Sequence, residues 1–384
     1  MRVLTLSYEF PPIGGGGGGV VKGLASHLVA MGYTIDVVTM GFRNLPREEI
    51  VKGITVHRVD CGRRSESVCS PAEALRYMLR ARPVVARLLD THAYDLVHAH
   101  FILPDGLLAL QVAAPRGIPY IITAHGSDVP GYNVKPFFKL AHPLLKLPWR
   151  RITSRAAEIV SPSETLAGLI HSVGPGTQVS VIPNGMLEDM YVPKPKQEQV
   201  FVATRLVERK GVQYLLRALA GDAIKWPVII GGSGEHEAAL HSLNEQLGEP
   251  AQFIGWLNNE SQEFRDLLEQ SAIYLLPSDY ENFPVCLLEA MAAGCAIITT
   301  KGHGCEEVVG DCAELVTPGR ADAEACIREI RAALLRLTAD RAYCDALGAR
   351  ARQRLDENFT WTAVARRYAE VYQRHALGRA ASAG

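Results

Sequence analysis

The chain has 384 residues, more than one ordinary core accommodates and enough for two. Hydrophobic residues make up 48% and charged residues 21%, with a formal net charge of −1. That is the balance of a soluble globular protein, and it carries no electrostatic footprint for nucleic acid. The longest apolar runs, such as "IPYIIT" and "AIYLLP", are strand-sized and too short to cross a bilayer. No apolar leader of secretory length follows Met1, so the expected setting is the cytoplasm. Eight cysteines, none in a C-x-x-C pair, lie mostly in apolar or helical segments and read as small buried hydrophobes.

Short β-rich runs alternate with helical stretches throughout, the mark of parallel sheets built from βαβ units. In the first half the strands fall at 2–7, 34–40, 54–59, 95–100, 119–125, 157–163 and 179–184, with helices such as 20–31 and 72–90 between them. "LEDMYVPKPKQEQ" (187–199) is polar and without period, which is linker composition. The pattern restarts at 200–206, 227–232, 251–256, 272–278, 296–300 and 313–318. The fold class expected is therefore α/β, with two Rossmann-like doubly wound parallel-sheet domains, 1–186 and 200–357, facing each other across a cleft. The tail, 358–384, carries a helix with Trp361, Val364, Tyr368, Val371 and Tyr372 as an apolar stripe, able to cover either domain.

Six consecutive glycines, Gly14–Gly19, stand between the first strand and its helix. Gly14, Gly15 and Gly16 would let the backbone approach an anion or nucleotide at the helix N-terminus. A dinucleotide fingerprint also wants an acidic residue at the end of the second strand, where Thr39 and Met40 stand, so a dehydrogenase is disfavoured. In the second half Arg205 ends a strand and Lys210 follows in the turn, a fork and a point charge suited to a diphosphate. Gly232 and Gly234 follow another strand end. Within "ENFPVCLLEAMAAG" a buried Glu289 calls for hydrogen-bonding partners.

Taken in order, the glycine run, "TAHGSD", "VIPNG", "TRLVERKG", "GGSGE", "FIGW" and "PSDYENFPVCLLEAMAAG" resemble the retaining glycosyltransferases of family 4, which have the GT-B fold. The resemblance covers nearly the whole chain and is strongest in the E-x7-E stretch. It implies that Glu289 takes the ribose hydroxyls of a nucleotide-sugar donor and Glu281 the hydroxyls of the transferred sugar. Arg205 and Lys210 would clamp the diphosphate in place of a metal, so neither cofactor nor metal is expected. Asn282, Phe283, Pro284 and Val285 would line the donor loop, with a helix starting near Pro284. Gly255 and Trp256 would lie beside the base; the competing reading makes Trp256 a core aromatic. His125 and Asp128 would meet the acceptor near the anomeric centre, or His125 would be a turn histidine capped by Asp128. His98 and His100 read as cleft-edge or core histidines.

The family usually has E-G-F-G where this chain has Glu281-Asn282-Phe283-Pro284. Asn282 is the non-glycine residue best suited to a left-handed backbone, and Pro284 removes one N–H donor. A UDP-sugar is the favoured donor and GDP-mannose the next. Acceptor candidates are a sugar, an aminocyclitol, a secondary metabolite or a lipid-linked hydroxyl. Basic and aromatic residues interleave over 135–155, which could hold the protein at the inner face of a membrane; a packed helix with a basic rim is favoured because Pro143 and Pro148 interrupt it. A non-catalytic nucleotide-sugar-binding module is the alternative of another class.

Overall fold

The computed structural model describes residues 1–66, 68–132, 146–187, 189–221, 223–259 and 261–382, with side chains to residue 376. They form two units: Met1–Gly185 together with Trp361–Gly384, and Met186–Thr360.

The first unit holds an eight-stranded sheet in the order β3-β4-β2-β1-β5-β6-β7-β8. Its strands are β1 (Arg2–Leu6), β2 (Thr34–Met40), β3 (Glu48–Val51), β4 (Ile54–Val59), β5 (Leu96–His100), β6 (Tyr120–Thr123), β7 (Glu158–Ser161) and β8 (Val179–Val181). Strands β5, β6 and β7 are buried at every position, as a sheet covered on both faces requires. The edge departs from the all-parallel expectation, because β3 pairs antiparallel with β4. Lys52 and Gly53 both have positive φ, 50° and 79°, which is the geometry of a two-residue hairpin turn.

The helix between β1 and β2 runs Gly16–Ala30 rather than 20–31, so four of the six glycines are helical. The next helix, Pro71–Thr91, opens on a reciprocal cap: Ser70 Oγ accepts the Glu73 N–H, and the Glu73 carboxylate accepts the Ser70 N–H. The C-terminal helix, Trp361–Ser382, packs in this unit with Trp361, Val364, Tyr368, Val371 and Tyr372 buried. Glu158 of β7, its side chain fully buried, anchors the helix through Arg374 at 3.0 Å, His375 Nε2 at 2.7 Å and the Ser180 hydroxyl of β8.

The second unit is a six-stranded, all-parallel sheet in the order β11-β10-β9-β12-β13-β14. Its strands are β9 (Gln197–Ala203), β10 (Val228–Gly231), β11 (Gln252–Gly255), β12 (Ser271–Leu276), β13 (Ala296–Thr300) and β14 (Glu314–Val316). The segment expected as a linker, 187–199, is fastened to this unit instead, and β9 begins inside it. Val192 N–H donates to Glu269, Lys194 Nζ lies 2.7 Å from both Asp266 and Glu269, and Lys196 Nζ donates to the Glu269 and Ala293 carbonyls. Its lysines mimic linker composition but serve as anchors. All eight cysteines are free thiols, six of them buried.

Burial alone would raise the Glu158 carboxyl, but Ser180, His375 and Arg374 outweigh it and hold the group below the ordinary carboxylate range. A lowered acid contributes stability that is present above its unfolded value and lost as pH falls through the folded one. Glu158→Gln should therefore cost about 1–2 kcal/mol at neutral pH, and the gap to wild type should close on acidification, as read by denaturant unfolding across pH.

Candidate active site

In the second unit the strand order reverses between β9 and β12, and ligands of open α/β sheets bind beyond the carboxyl ends of strands at such a point. The turn after β9 carries Arg205 to Lys210, and the turn after β12 carries Ser278 to Glu281. Gly211 brings them together. Its φ is +74°, and a Cβ there would lie 1.9 Å from the Pro277 carbonyl oxygen, so no other residue allows this approach. Lys210, largely buried, forms an ion pair with Glu281, whose Oε1 also accepts the Ser278 hydroxyl at 2.7 Å and lies 4.0 Å from Arg209. Burial would raise Glu281, but Lys210, Ser278 and Arg209 outweigh it and keep the carboxyl below its usual range. Glu281 is ionised.

Glu289 is treated in the opposite way. It sits in the helix Val285–Ala293, whose N-cap is Pro284, one residue later than the expected start. It is 6% exposed, with the Tyr191 hydroxyl beside it. Burial raises it to about 7; neighbouring Tyr191 offsets this only in part, its own hydroxyl lacking a well-formed hydrogen bond. A carboxylate in that position is poised for a hydroxyl-bearing ligand.

The other residues expected on the donor side follow the carboxyl ends of β9, β10, β11 and β12. Arg205 is exposed and makes no ion pair among the described residues. The loop of Gly232 and Gly234 presses on the Thr204 and Leu206 carbonyls, 1.9 Å and 2.4 Å from where a Cβ would stand. Trp256, just after β11, is 69% exposed, which removes the core reading. Phe283 packs edge-on against Phe359, and Val285 is half-buried at the head of the helix. Asn282 does not adopt the left-handed backbone expected of it; the loop is held from outside, where the Gly304 N–H donates to the Glu281 carbonyl at 3.0 Å.

In the first unit the reversal lies between β1 and β5. Gly14 N–H donates to the Glu66 carbonyl and Gly15 N–H to the Glu9 carboxylate at 3.1 Å, so the expected anion donors at Gly14 and Gly15 are taken by the chain itself. Gly16 opens the helix with clear space where a Cβ would stand. His125 follows β6. Its ring is drawn down to about 4 by burial, hence uncharged at neutral pH, and its Nε2 lies 3.2 Å from His100 Nδ1. The two oxygens of Asp128 accept the backbone N–H groups of His125 and Ile102, at 3.0 and 2.7 Å. That geometry makes Asp128 a clip for the turn in place of the expected acceptor contact. His98 is a core histidine: Nδ1 shares a hydrogen bond with Tyr372 at 2.7 Å and Nε2 with Thr123 at 2.8 Å. Of the basic segment 135–155, residues 135–145 lie outside the described set; in the rest, Trp149 is buried and donates to the Asp128 carbonyl. No helix among the described residues is long and apolar enough to cross a membrane.

Two family models account for almost the whole chain: Glycosyltransferase Family 4 over residues 14–186 and Glycosyl transferases group 1 over 188–354. This protein is a family 4 glycosyltransferase. The chain is 26% identical, across the full length of both, to the MMP alpha-(1->4)-mannosyltransferase of Mycolicibacterium hassiacum. Its fold is GT-B, shared with the sucrose-phosphate synthase of Thermosynechococcus elongatus (TM-score 0.80, 21% identity, 97% and 98% of the two chains covered) and with Anabaena HepE, solved in complex with UDP (0.72, 17%, 97% and 100%).

In this glycosyltransferase the residues that sequence reasoning missed are Ser278, Tyr191 and Phe101, while His100, read as a cleft-edge or core histidine, lies against His125. Ser278 had a signal, three residues before Glu281 in "PSDYE"; Tyr191 was hidden in apparent linker. Because Glu289 binds its proton more tightly when folded, its burial detracts from stability increasingly as pH rises from the ordinary carboxylate value toward 7. Glu289→Gln should unfold at higher denaturant than wild type at pH 8, by roughly 2–3 kcal/mol, with the difference fading near pH 5. Lys210→Ala should be strongly destabilising, by about 3 kcal/mol, through the charge left on buried Glu281, and adding Glu281→Gln should recover part of the loss in the same measurement.

Proposed function

We propose that the protein moves a hexosyl group from a nucleoside diphosphate sugar to an acceptor hydroxyl with retention at the anomeric carbon, a UDP-sugar favoured and GDP-mannose next. The observation that carries this reading is the pair of carboxylates at the E-x7-E stretch. Glu281 is held below the carboxylate range beside a cation, while Glu289 is buried next to the Tyr191 hydroxyl with its carboxyl raised to about 7. Two ribose hydroxyls would satisfy Glu289, and the sugar's hydroxyls would find an ionised acceptor in Glu281. An ammonium has three N–H donors, so Lys210 can keep Glu281 and still meet a phosphate oxygen. With Arg205 it supplies positive charge where the nucleoside diphosphate departs, and the chemistry needs no divalent ion.

His125, uncharged, would orient the acceptor by hydrogen bonding rather than carry its proton. The leaving β-phosphate oxygen would take that proton on the front face of an oxocarbenium-like path. Glu281 is tied to Lys210 and Ser278, which suits it to holding hydroxyls more than to covalent attack. UDP in the HepE complex, UDP-glucose in another HepE structure and ADP bound to Arabidopsis Starch Synthase IV support a nucleotide-sugar donor and leave the base open. With Trp149 committed to the core, a soluble acceptor is preferred over a lipid-linked one.

The test is a thermal-shift series with UDP, GDP, ADP and TDP and their sugars. One nucleotide, expected to be UDP, should raise the midpoint of wild type and leave Glu289→Ala unmoved, since a ligand stabilises only the state that binds it. With that donor, the product should keep the donor's anomeric configuration by NMR, at a rate unchanged by EDTA. Stabilisation by no nucleotide, or equal stabilisation of the variant, would overturn the assignment. Binding without turnover over a panel of sugars and cyclitols would favour a non-catalytic nucleotide-sugar-binding module.

A further inference from the structure

Three histidines line up across β5 and the end of β6. His98 and His100 share one face of β5, their ring centroids 4.2 Å apart, and the ring of His100 stacks at 5.4 Å on that of His125. Strands β5 and β6 are in register with His100 opposite Thr123, which brings His125, two residues on, alongside. His100 is 1% exposed, and its Nδ1 lies 3.2 Å from His125 Nε2.

The residue after His100 is under backbone strain. Phe101 has φ +79° and ψ 134°, a conformation that a bulky side chain adopts only when its surroundings impose it. Its N–H donates to the Thr123 carbonyl at 2.9 Å, and its ring lies 4.3 Å from that of His125 and 4.7 Å from that of Tyr8. Gly17 makes room: a Cβ there would lie 2.7 Å from Phe101 Cζ. Asp128 then ties the backbones of Ile102 and His125 together. Every restraint in the turn converges on the orientation of one imidazole.

We propose that His100 is a positioning residue for His125: its Nδ1 hydrogen bond to Nε2 fixes the ring's rotation and locks it into one tautomer. An N–H···N bond between two neutral rings holds a single proton, so the two tautomers are coupled and the protonation form of His125 follows that of His100. Burial lowers both rings, in keeping with a neutral pair. Phe101 packs its ring against that of His125, 4.3 Å between centroids. The inference rests on the reading of His125 as an acceptor-side residue.

The test uses the full chain with 15N-labelled histidine. Wild type should show a scalar coupling across the hydrogen bond between His100 Nδ1 and His125 Nε2, with ring shifts of a single tautomer for His125. Absence of the coupling overturns the proposal without any variant. An asparagine amide reaches the place of Nδ1, and a glutamine amide that of Nε2, at nearly equal polarity. His100→Asn should keep the His125 shifts and keep turnover within about threefold, whereas His100→Gln should give averaged tautomer shifts and lower kcat by roughly 10- to 100-fold, with the donor KM little changed. Tyr372→Phe, which perturbs the same core through His98, should leave the His125 shifts alone. Equal behaviour of the Asn and Gln variants would assign His100 to packing. If no sugar nucleotide is turned over, the NMR result still decides the positioning role, and the failure falls on the function.

Discussion

A carboxylate kept charged inside a protein needs a cation within hydrogen-bonding reach, and the second unit is arranged to give Glu281 one. The turn after β9 delivers Lys210, and the close approach of Gly211 to the Pro277 carbonyl sets it against the turn after β12. Substituting any larger residue at Gly211 would part the two turns and leave each charge buried alone, the costly half of any buried ion pair. Glu289, on the same stretch of chain, is buried without a cation to offset it, and burial outweighs the Tyr191 hydroxyl and raises its proton affinity. Two like groups are thus held in different states by their surroundings alone, a division of labour typical of sites that handle polar substrates.

The first unit applies the same logic with uncharged groups. Its polar core starts on the C-terminal helix, where Tyr368 and Tyr372 meet Thr123 and His98, and continues by ring contact through His100 to His125. Asp105, wholly buried, has its carboxyl raised by burial. Its oxygens accept the Tyr8 N–H and contact the Tyr77 hydroxyl, which also reaches the Val38 carbonyl. Through these contacts the Pro71–Thr91 helix and the ends of β1 and β5 are tied together by hydrogen bonds.

Much of this was legible in the residues. Strands buried on both faces are continuous apolar runs of β-branched residues, so β1, β2, β5, β6, β9, β12 and β13 announce themselves, and the motifs at their carboxyl ends locate Glu281, Glu289, Lys210 and His125. The failures have physical causes. A run of glycines has no side-chain period, so nothing marks Gly16 as the first helical residue. Lysines that anchor a segment look like lysines that solvate a linker, and only tertiary contacts distinguish Lys194 and Lys196 from the latter. Asparagine tolerates a left-handed backbone, which makes one the expectation at Asn282, but the helix that contains Gly304 supports the turn from outside and no such conformation is needed. The strain at Phe101 is invisible in a sequence, since it arises from partners remote along the chain.

The C-terminal helix belongs to the first unit while the second is continuous from Met186 to Thr360, so in the order of synthesis the later-made body is complete before the earlier one. A nascent chain at residue 360 has β5 and β6 but lacks the two tyrosyl hydroxyls that satisfy His98 and Thr123. Those side chains would then face either water or one another. The helix Trp361–Ser382, rather than the formation of the sheet, is what closes this interior. A chain that stopped short of this helix would leave an unsealed, wettable seam along β5 and β6, where Tyr368 and Tyr372 otherwise bond Thr123 and His98.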